Sequence, residues 1–313
     1  MALYWICLIA FLGVVISGDD SCPTPAELAP CTCDDEGVNC MGTLTLDEIK
    51  KTFQAEFKDG GVRSVWVQGT PLTNLPANLF GNVKSQQFFI EVNSITTVDL
   101  RAFSASNKTL HTLSLYGNKI KDLHFSDLNT FENLATLNLG RNQIEIIPLN
   151  AFNSRSLYTL NLAQNKIRHI ESNAFGNLPR LEKLEMALNQ VLAIGPRSFA
   201  FKSHSPRLQI DLSANHIFDV DPDGFIGLDP MAIFFSQNEL KSLEKEPFAD
   251  LVTKVAQKGG FLEVSGNPFS CKGCDYSWLV INKDILANKL VGFSCKDKRT
   301  LTELTASNIG CHS

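Results

Sequence analysis

Eight cysteines stand in two groups of four near opposite ends of the chain: Cys22, Cys31, Cys33 and Cys40, then Cys271, Cys274, Cys295 and Cys311. Thiols so arranged could do one of two things. The Cys271-x-x-Cys274 spacing suggests one half of a tetrahedral zinc site; the alternative is two local disulfides at each end. Zinc needs a second close pair, which is missing, and an even count in an exported chain favours bridges. Spacing alone leaves three connectivities open in each group. A ninth cysteine, Cys7, lies in the uncharged apolar run Met1 to Gly18, which reads as a secretory signal peptide over residues 1–18. That run is short for a membrane span, and no second apolar stretch of spanning length follows.

No other residues assemble a recognisable reactive centre. His111, His124, His169, His204, His216 and His312 are scattered, and none shares a repeat position with a Ser or Cys nucleophile. Zinc-protease, serine-hydrolase, phosphate-loop and calcium-loop motifs are all absent. The expectation is therefore no catalytic residue, no metal and no cofactor. A formal net charge of -5 without any basic run argues against nucleic acid or a polybasic membrane contact. Asn107-Lys108-Thr109 is an N-glycosylation sequon between two repeats, so Asn107 is a candidate glycan site.

The elements that would carry any function are set by a repeat. Leu134-x-x-Leu137-x-Leu139-x-x-Asn142-x-Ile144 recurs at Leu157, Leu160, Leu162, Asn165 and Ile167, again at Leu181 to Val191, and before them at Leu110 to Ile120. Weaker copies extend both ways, giving about nine. Their Asn positions (Thr70 in the first) are separated by 23, 25, 24, 23, 24, 26, 23 and 29 residues. Alternating apolar residues predict a short strand in each copy. Each Asn sits where the chain turns inward and can satisfy backbone groups that would otherwise be buried unpaired. Phe80, Phe103, Phe152, Phe175, Phe199, Phe225 and Phe248 follow ten residues later and predict a stacked aromatic spine of purely structural use.

This pattern resembles the leucine-rich-repeat family. The resemblance implies an α/β solenoid with a parallel sheet on the concave face, loops and short helices on the convex face, and disulfide caps at both ends. The expected organisation is a signal peptide at 1–18 and an N-terminal cysteine cap with an amphipathic helix at 19–60. Repeats follow over 61–269, then a C-terminal cysteine cap over 270–313. Leu46, Ile49, Phe53 and Phe57 fall at helical spacing, Thr45 with Glu48 makes a capping box, and the helix is expected to end before Gly60-Gly61. A second helix is expected around Pro247 to Lys258.

Cys22-x8-Cys31-x-Cys33-x6-Cys40 and Asn267-Pro268-Phe269 with Cys271, Cys274, Trp278, Cys295 and Cys311 resemble the two caps of extracellular members. That resemblance implies the pairs Cys22–Cys33, Cys31–Cys40, Cys271–Cys295 and Cys274–Cys311. Most relatives carry one residue between the first two cysteines of the C-terminal cap; Lys272 and Gly273 stand there here. These cap spacings, Asp47-Glu48-Ile49 with Phe53, and the order of strong and weak repeats resemble secreted arthropod proteins of the Oplophorus-luciferin 2-monooxygenase non-catalytic subunit type. The resemblance implies association with a separate catalytic subunit, not luminescence, because a scaffold does not carry its partner with it.

Outward strand residues should tile the concave face. The central position reads Trp66, Phe89, Ser114, Asn138, Asn161, Glu185, Asp211, Phe234 and Glu263; two residues on stand Tyr116, Gly140, Ala163 and Ala187. The candidate binding residues are Trp66, Phe89, Tyr116, Asn138, Asn161, Glu185, Asp211 and Phe234. Exposed aromatics among polar neighbours are typical interface anchors, although the adjacent helix or cap could equally cover Trp66 and Phe89. The small residues would let a partner approach closely. The expected function is a secreted, extracellular binding protein acting by protein–protein interaction, as the non-catalytic subunit of an enzyme complex. The alternatives are a free-standing adhesion or innate-immune module for microbial glycans or matrix, and an enzyme with an unrecognised site.

Overall fold

The computed structural model describes residues 22–58 and 61–311; Cys7 and the signal-peptide segment lie outside them, as does His312. Each of the nine repeat copies contributes one strand to a single twelve-stranded sheet, and six of them add a two-residue strand to one of three small parallel pairs. The N-terminal cap supplies β1 (Thr32–Asp34) and β2 (Gly37–Met41). The repeats supply β3 (Val62–Gln68), β4 (Ser85–Glu91), β5 (Thr112–Ser114), β6 (Thr136–Asn138), β7 (Thr159–Asn161), β8 (Lys183–Glu185), β9 (Gln209–Asp211), β10 (Ala232–Phe234) and β11 (Phe261–Glu263). The C-terminal cap adds β12 (Leu290–Val291). Only β1 and β2 pair antiparallel; every later pair is parallel. The caps therefore extend the sheet as well as covering its ends, which shields the edge hydrogen-bonding groups of the first and last rungs.

The asparagines zip each rung to the one before. Asn142 Nδ2 donates to the Leu115 carbonyl of the preceding rung (3.0 Å) and to Leu139 of its own (3.1 Å), while its Oδ1 accepts from Ile120 N–H (3.0 Å). Asn165, Asn189, Asn215, Asn238 and Asn267 repeat this pattern. Thr70, in the first rung, instead donates its hydroxyl and amide to Asn93 Oδ1. The inward turn has a second requirement that the leucine pattern hides. In all nine rungs the residue before the ladder position adopts a left-handed φ between 52° and 71°, and only Gly69, Gly117 and Gly266 among them are glycines. Val92 is β-branched and sits there at a cost of about 1–2 kcal/mol, so the register of the ladder outweighs local preference.

Behind the sheet the aromatic spine runs as expected. Phe152 and Phe175 lie 5.6 Å apart with nearly parallel rings, and Phe175 and Phe199 lie 5.5 Å apart. The third rung has no phenylalanine at the spine position; Leu128 is buried there, and Phe125 reaches Phe152 at 5.0 Å.

Four helices matter to the ends: α1 (Pro25–Leu28), α2 (Leu46–Thr52), α3 (Lys245–Gln257) and α4 (Ser277–Leu286). Helix α2 stops at Thr52, well short of Gly60-Gly61. Phe53 leaves the helix because its ring packs edge-on against Phe80 at 5.0 Å, closing the first coil, and Phe57 stacks on it from the turn beyond. Helix α3 spans the long interval between the last two ladder positions, beginning two residues before the expected Pro247. Bridges join Cys22–Cys33, Cys31–Cys40, Cys271–Cys295 and Cys274–Cys311. Cys271 and Cys274 thus belong to different disulfides. The extra residue between them is accommodated by Gly273, whose N–H donates to the Ile309 carbonyl (2.7 Å) at a φ of 97°.

Three capping-box carboxylates give the chain an acid limb to its stability. The Thr45 N–H and then its hydroxyl hold Glu48 below the usual carboxylate value of 4.5, as the Thr300 N–H and then its hydroxyl hold Glu303, and the Thr24 hydroxyl and then its N–H hold Glu27. A carboxyl lowered in the folded state stabilises above its unfolded value and loses that contribution as pH falls through the folded one. Urea midpoints should therefore be level above pH 4.5 and decline below it. Glu48→Gln should show a shallower decline; an unchanged slope would contradict the assignment.

Candidate binding face

Parallel register turns the scattered candidates into one line. The partners Asn39, Trp66, Phe89, Ser114, Asn138, Asn161, Glu185, Asp211, Phe234, Glu263 and Val291 follow one another from strand to strand without a slip. At about 4.8 Å per strand, Trp66 to Glu263 is about 38 Å along the sheet before curvature. The column is a surface and not a pocket.

Trp66 and Phe89 are half-exposed and stacked, with ring centroids 6.0 Å apart and planes 9° from parallel. Both stay partly exposed; α2 directs Phe53 into the first coil, and the cap strand pairs Asn39 beside Trp66. At the other end Phe234 is half-exposed and meets Phe261 edge-on at 5.6 Å. Between these aromatic ends the face is first amide and hydroxyl (Thr112, Thr136, Asn138, Thr159 and Asn161, all partly buried) and then charged, at Lys183, Glu185 and Asp211. Ser114 is the exception, buried beneath Glu91, to which its hydroxyl donates.

Several of the polar candidates are already in use. Asn138 Oδ1 accepts from Gly140 N–H (3.0 Å), Asn161 Oδ1 from Ala163 (2.8 Å), and Asp211 Oδ1 from Ser213 (2.9 Å). Each satisfies a backbone donor where its strand ends, so part of their role is structural. Their amide groups and the second Asp211 carboxylate oxygen make no hydrogen bond among the described residues. Glu185 is paired with Lys183 on the same strand. Tyr116 lies against Gly140, where an added Cβ would meet its ring at 3.2 Å and the Asn138 and Asn161 Oδ1 atoms at 3.1 and 3.2 Å. Gly140 is buried and makes room for Tyr116, while Ala163 and Ala187 stay partly exposed.

Two clusters beside the face escaped the sequence. The Tyr158 hydroxyl bonds Glu182, which also accepts from Ser205 (2.9 Å) and from Arg207 (2.8 Å). The Tyr158 bond, followed by those of Ser205 and Arg207, holds Glu182 below the usual carboxylate range, and Glu182 in turn raises the Tyr158 phenol. His204 has a side chain only 4% exposed; it bonds the Ser205 carbonyl (2.7 Å) and the Asp229 carboxylate (2.8 Å), which also receives Lys258 (2.7 Å). These ties fix loops. The exposed His111, His169 and His216 lie apart. Among the described residues no three His, Cys, Asp or Glu side chains are grouped to hold a metal ion.

Nine parallel rungs, an amide ladder and paired-cysteine ends make the fold of this chain a leucine-rich-repeat solenoid. The leucine rich repeat family model matches residues 132–191 and 155–203. Among curated proteins, the Oplophorus-luciferin 2-monooxygenase non-catalytic subunit of Oplophorus gracilirostris is similar at 23% identity over 297 residues, covering 85% of this chain and 81% of that protein. Among solved structures, the crystal structure of a TLR13–ssRNA13 complex superposes with a TM-score of 0.60 at 22% identity, over 72% of this chain and 31% of that one. This chain thus spans about a third of that protein's length, and the likeness concerns the fold.

Proposed function

We propose that the chain is a secreted binding protein that acts by protein–protein contact on its concave face, as the non-catalytic partner of an enzyme. The observation that carries this is the stacked, half-exposed Trp66–Phe89 pair at one end of an in-register column with Phe234 at the other. Rigid aromatic anchors with polar surroundings are what alanine scans find to dominate interfaces. Four disulfides favour an extracellular setting. The similarity to a named non-catalytic subunit supports the assignment to an enzyme complex.

The test is capture from the native secretion with the wild-type chain and with a variant carrying Trp66→Ala, Tyr116→Ala and Asp211→Ala. The wild type should retain an enzyme subunit in stoichiometric amount, and the variant should lose affinity by at least about tenfold. Unchanged capture by the variant would remove the concave face from the reading. The amide and hydroxyl stretch around Asn138 and Asn161 favours a second reading, a free-standing adhesion or immune module for glycans or matrix. Glycan capture without a protein partner would select it. Turnover by the isolated chain would establish the remaining alternative, an enzyme. Asn107, partly exposed after a short 3-10 helix, is proposed to carry a glycan. The intact mass of the secreted chain should exceed the sequence mass and return to it in Asn107→Gln; equal masses would exclude the modification.

A further inference from the structure

The most exposed large apolar side chains among the described residues lie on the C-terminal cap. Ile281 is 79% and Ile285 is 70% exposed, one turn apart on α4. With Trp278 and Asn282 they form a stripe at i, i+3, i+4 and i+7, the spacing by which one helix packs on another. The stripe borders a cleft between α3 and α4, floored by Trp278 and by the small Ala249 and Ala256. Nothing about this platform is loose. Trp278 Nε1 donates to the Leu243 carbonyl (2.8 Å), Lys283 donates to the Thr302 and Leu304 carbonyls, and the Cys274–Cys311 bridge holds the start of the helix. Aliphatic surface that is rigid and open in this way is a docking surface, because leaving it in water is unfavourable.

Charge names the occupant. Lys289 stands at one end of the stripe; Glu244, Glu246 and Asp275 stand at the other and outnumber Lys245. Asp275 precedes Asn282 by as many residues as Lys289 follows it. A two-fold axis at Asn282 would lay α4 antiparallel on α4 of a second copy. Lys289 would then face the partner's acidic end, and the reverse. A surface complementary to its own inverted image is the requirement for an isologous dimer. We infer that this chain forms a two-fold homodimer through α4 of the C-terminal cap, leaving the concave face of each copy free.

Sedimentation of the full secreted chain over a range of concentrations tests this. The wild type should dimerise, and Ile281→Asp with Ile285→Asp should weaken dimerisation at least about tenfold without changing thermal unfolding, since both side chains are exposed. Lys289→Glu and Asp275→Lys should each weaken it, and the two together should restore it, because the swap rebuilds the pair across the axis. A wild type that stays monomeric at every concentration would overturn the inference, as would a dimer indifferent to all four substitutions. Trp66→Ala should leave the dimer intact, which keeps this outcome separate from that of the concave-face reading.

Discussion

Phe175→Ala should destabilise the chain by about 3–5 kcal/mol, the range for deleting a fully buried phenylalanine and leaving a cavity. The ring is 0% exposed, and its neighbours Phe152, Phe199 and Phe201 lie 5.5–6.3 Å away, centroid to centroid. No loop can collapse into the gap, because the rungs on either side are fixed by their own ladder bonds. A solenoid contacts only its neighbours, so weakening the middle of the array also weakens communication between its halves. Urea unfolding followed by fluorescence and circular dichroism should show a lower midpoint and transitions that no longer coincide. Phe234→Ala is the control: that side chain is half-exposed on the concave face, and its loss should cost roughly half as much or less. Equal costs at the two sites would mean that the spine does not carry the coil.

Asn165→Ala should cost at least about 3 kcal/mol for a different reason. Its Oδ1 accepts from Ile144 N–H (3.0 Å), and its Nδ2 donates to the carbonyls of Leu139 (2.9 Å), Leu162 (3.0 Å) and Ala163 (3.3 Å). Alanine orphans the buried Ile144 N–H, at about 1–3 kcal/mol, and removes a second donor, at about 0.5–1.5 kcal/mol each, from three carbonyls that keep Asn142 Nδ2, Asn189 Nδ2 and Arg141 N–H. Leucine would fill the volume and rescue nothing. Aspartate would keep the acceptor but bring an unpaired charge into the ladder. Asn161→Ala, four residues earlier, removes one bond to Ala163 N–H at a half-exposed position and should cost about 1 kcal/mol. Comparing these two asparagines by urea denaturation separates ladder from surface. Similar losses would contradict the division drawn between them.

Much of the coil was legible because its physics repeats. A leucine two residues from a leucine must face the same way in a strand, and an asparagine at a fixed offset must meet a turn, so nine strands could be placed from spacing. Features set by a neighbour in space were less legible. The left-handed positions at Val92 and Leu188 carry residue types that disfavour that conformation, and only the adjacent ladder bond imposes it. The early end of α2 follows from a ring on the next coil. The strands β1, β2 and β12 add the caps to the sheet, though cysteine spacing carries no pairing information.

The candidate face was legible as a row of positions and less so as chemistry. Column membership follows from period two, which is why Trp66, Phe89 and Phe234 fall on one line. Which members are available does not follow from it. Asn138, Asn161 and Asp211 fold back on their own strands, Ser114 is buried under Glu91, and Gly140 is covered by Tyr116. Each outcome depends on a side chain reaching one or two residues along, or one rung across. The tie made by His204 joins residues twenty-five and fifty-four positions downstream, Asp229 and Lys258, and no local pattern announces it.

Hydroxyl-radical footprinting of the chain, alone and with whatever protein partner the capture experiment yields, tests the concave-face account most directly, since tryptophan, tyrosine and phenylalanine all label. Trp66, Phe89, Tyr116 and Phe234 should lose labelling in the complex, while Phe218, exposed away from the sheet, keeps it. Protection of Phe218 with the four concave aromatics unchanged would mean that the partner sits on another face.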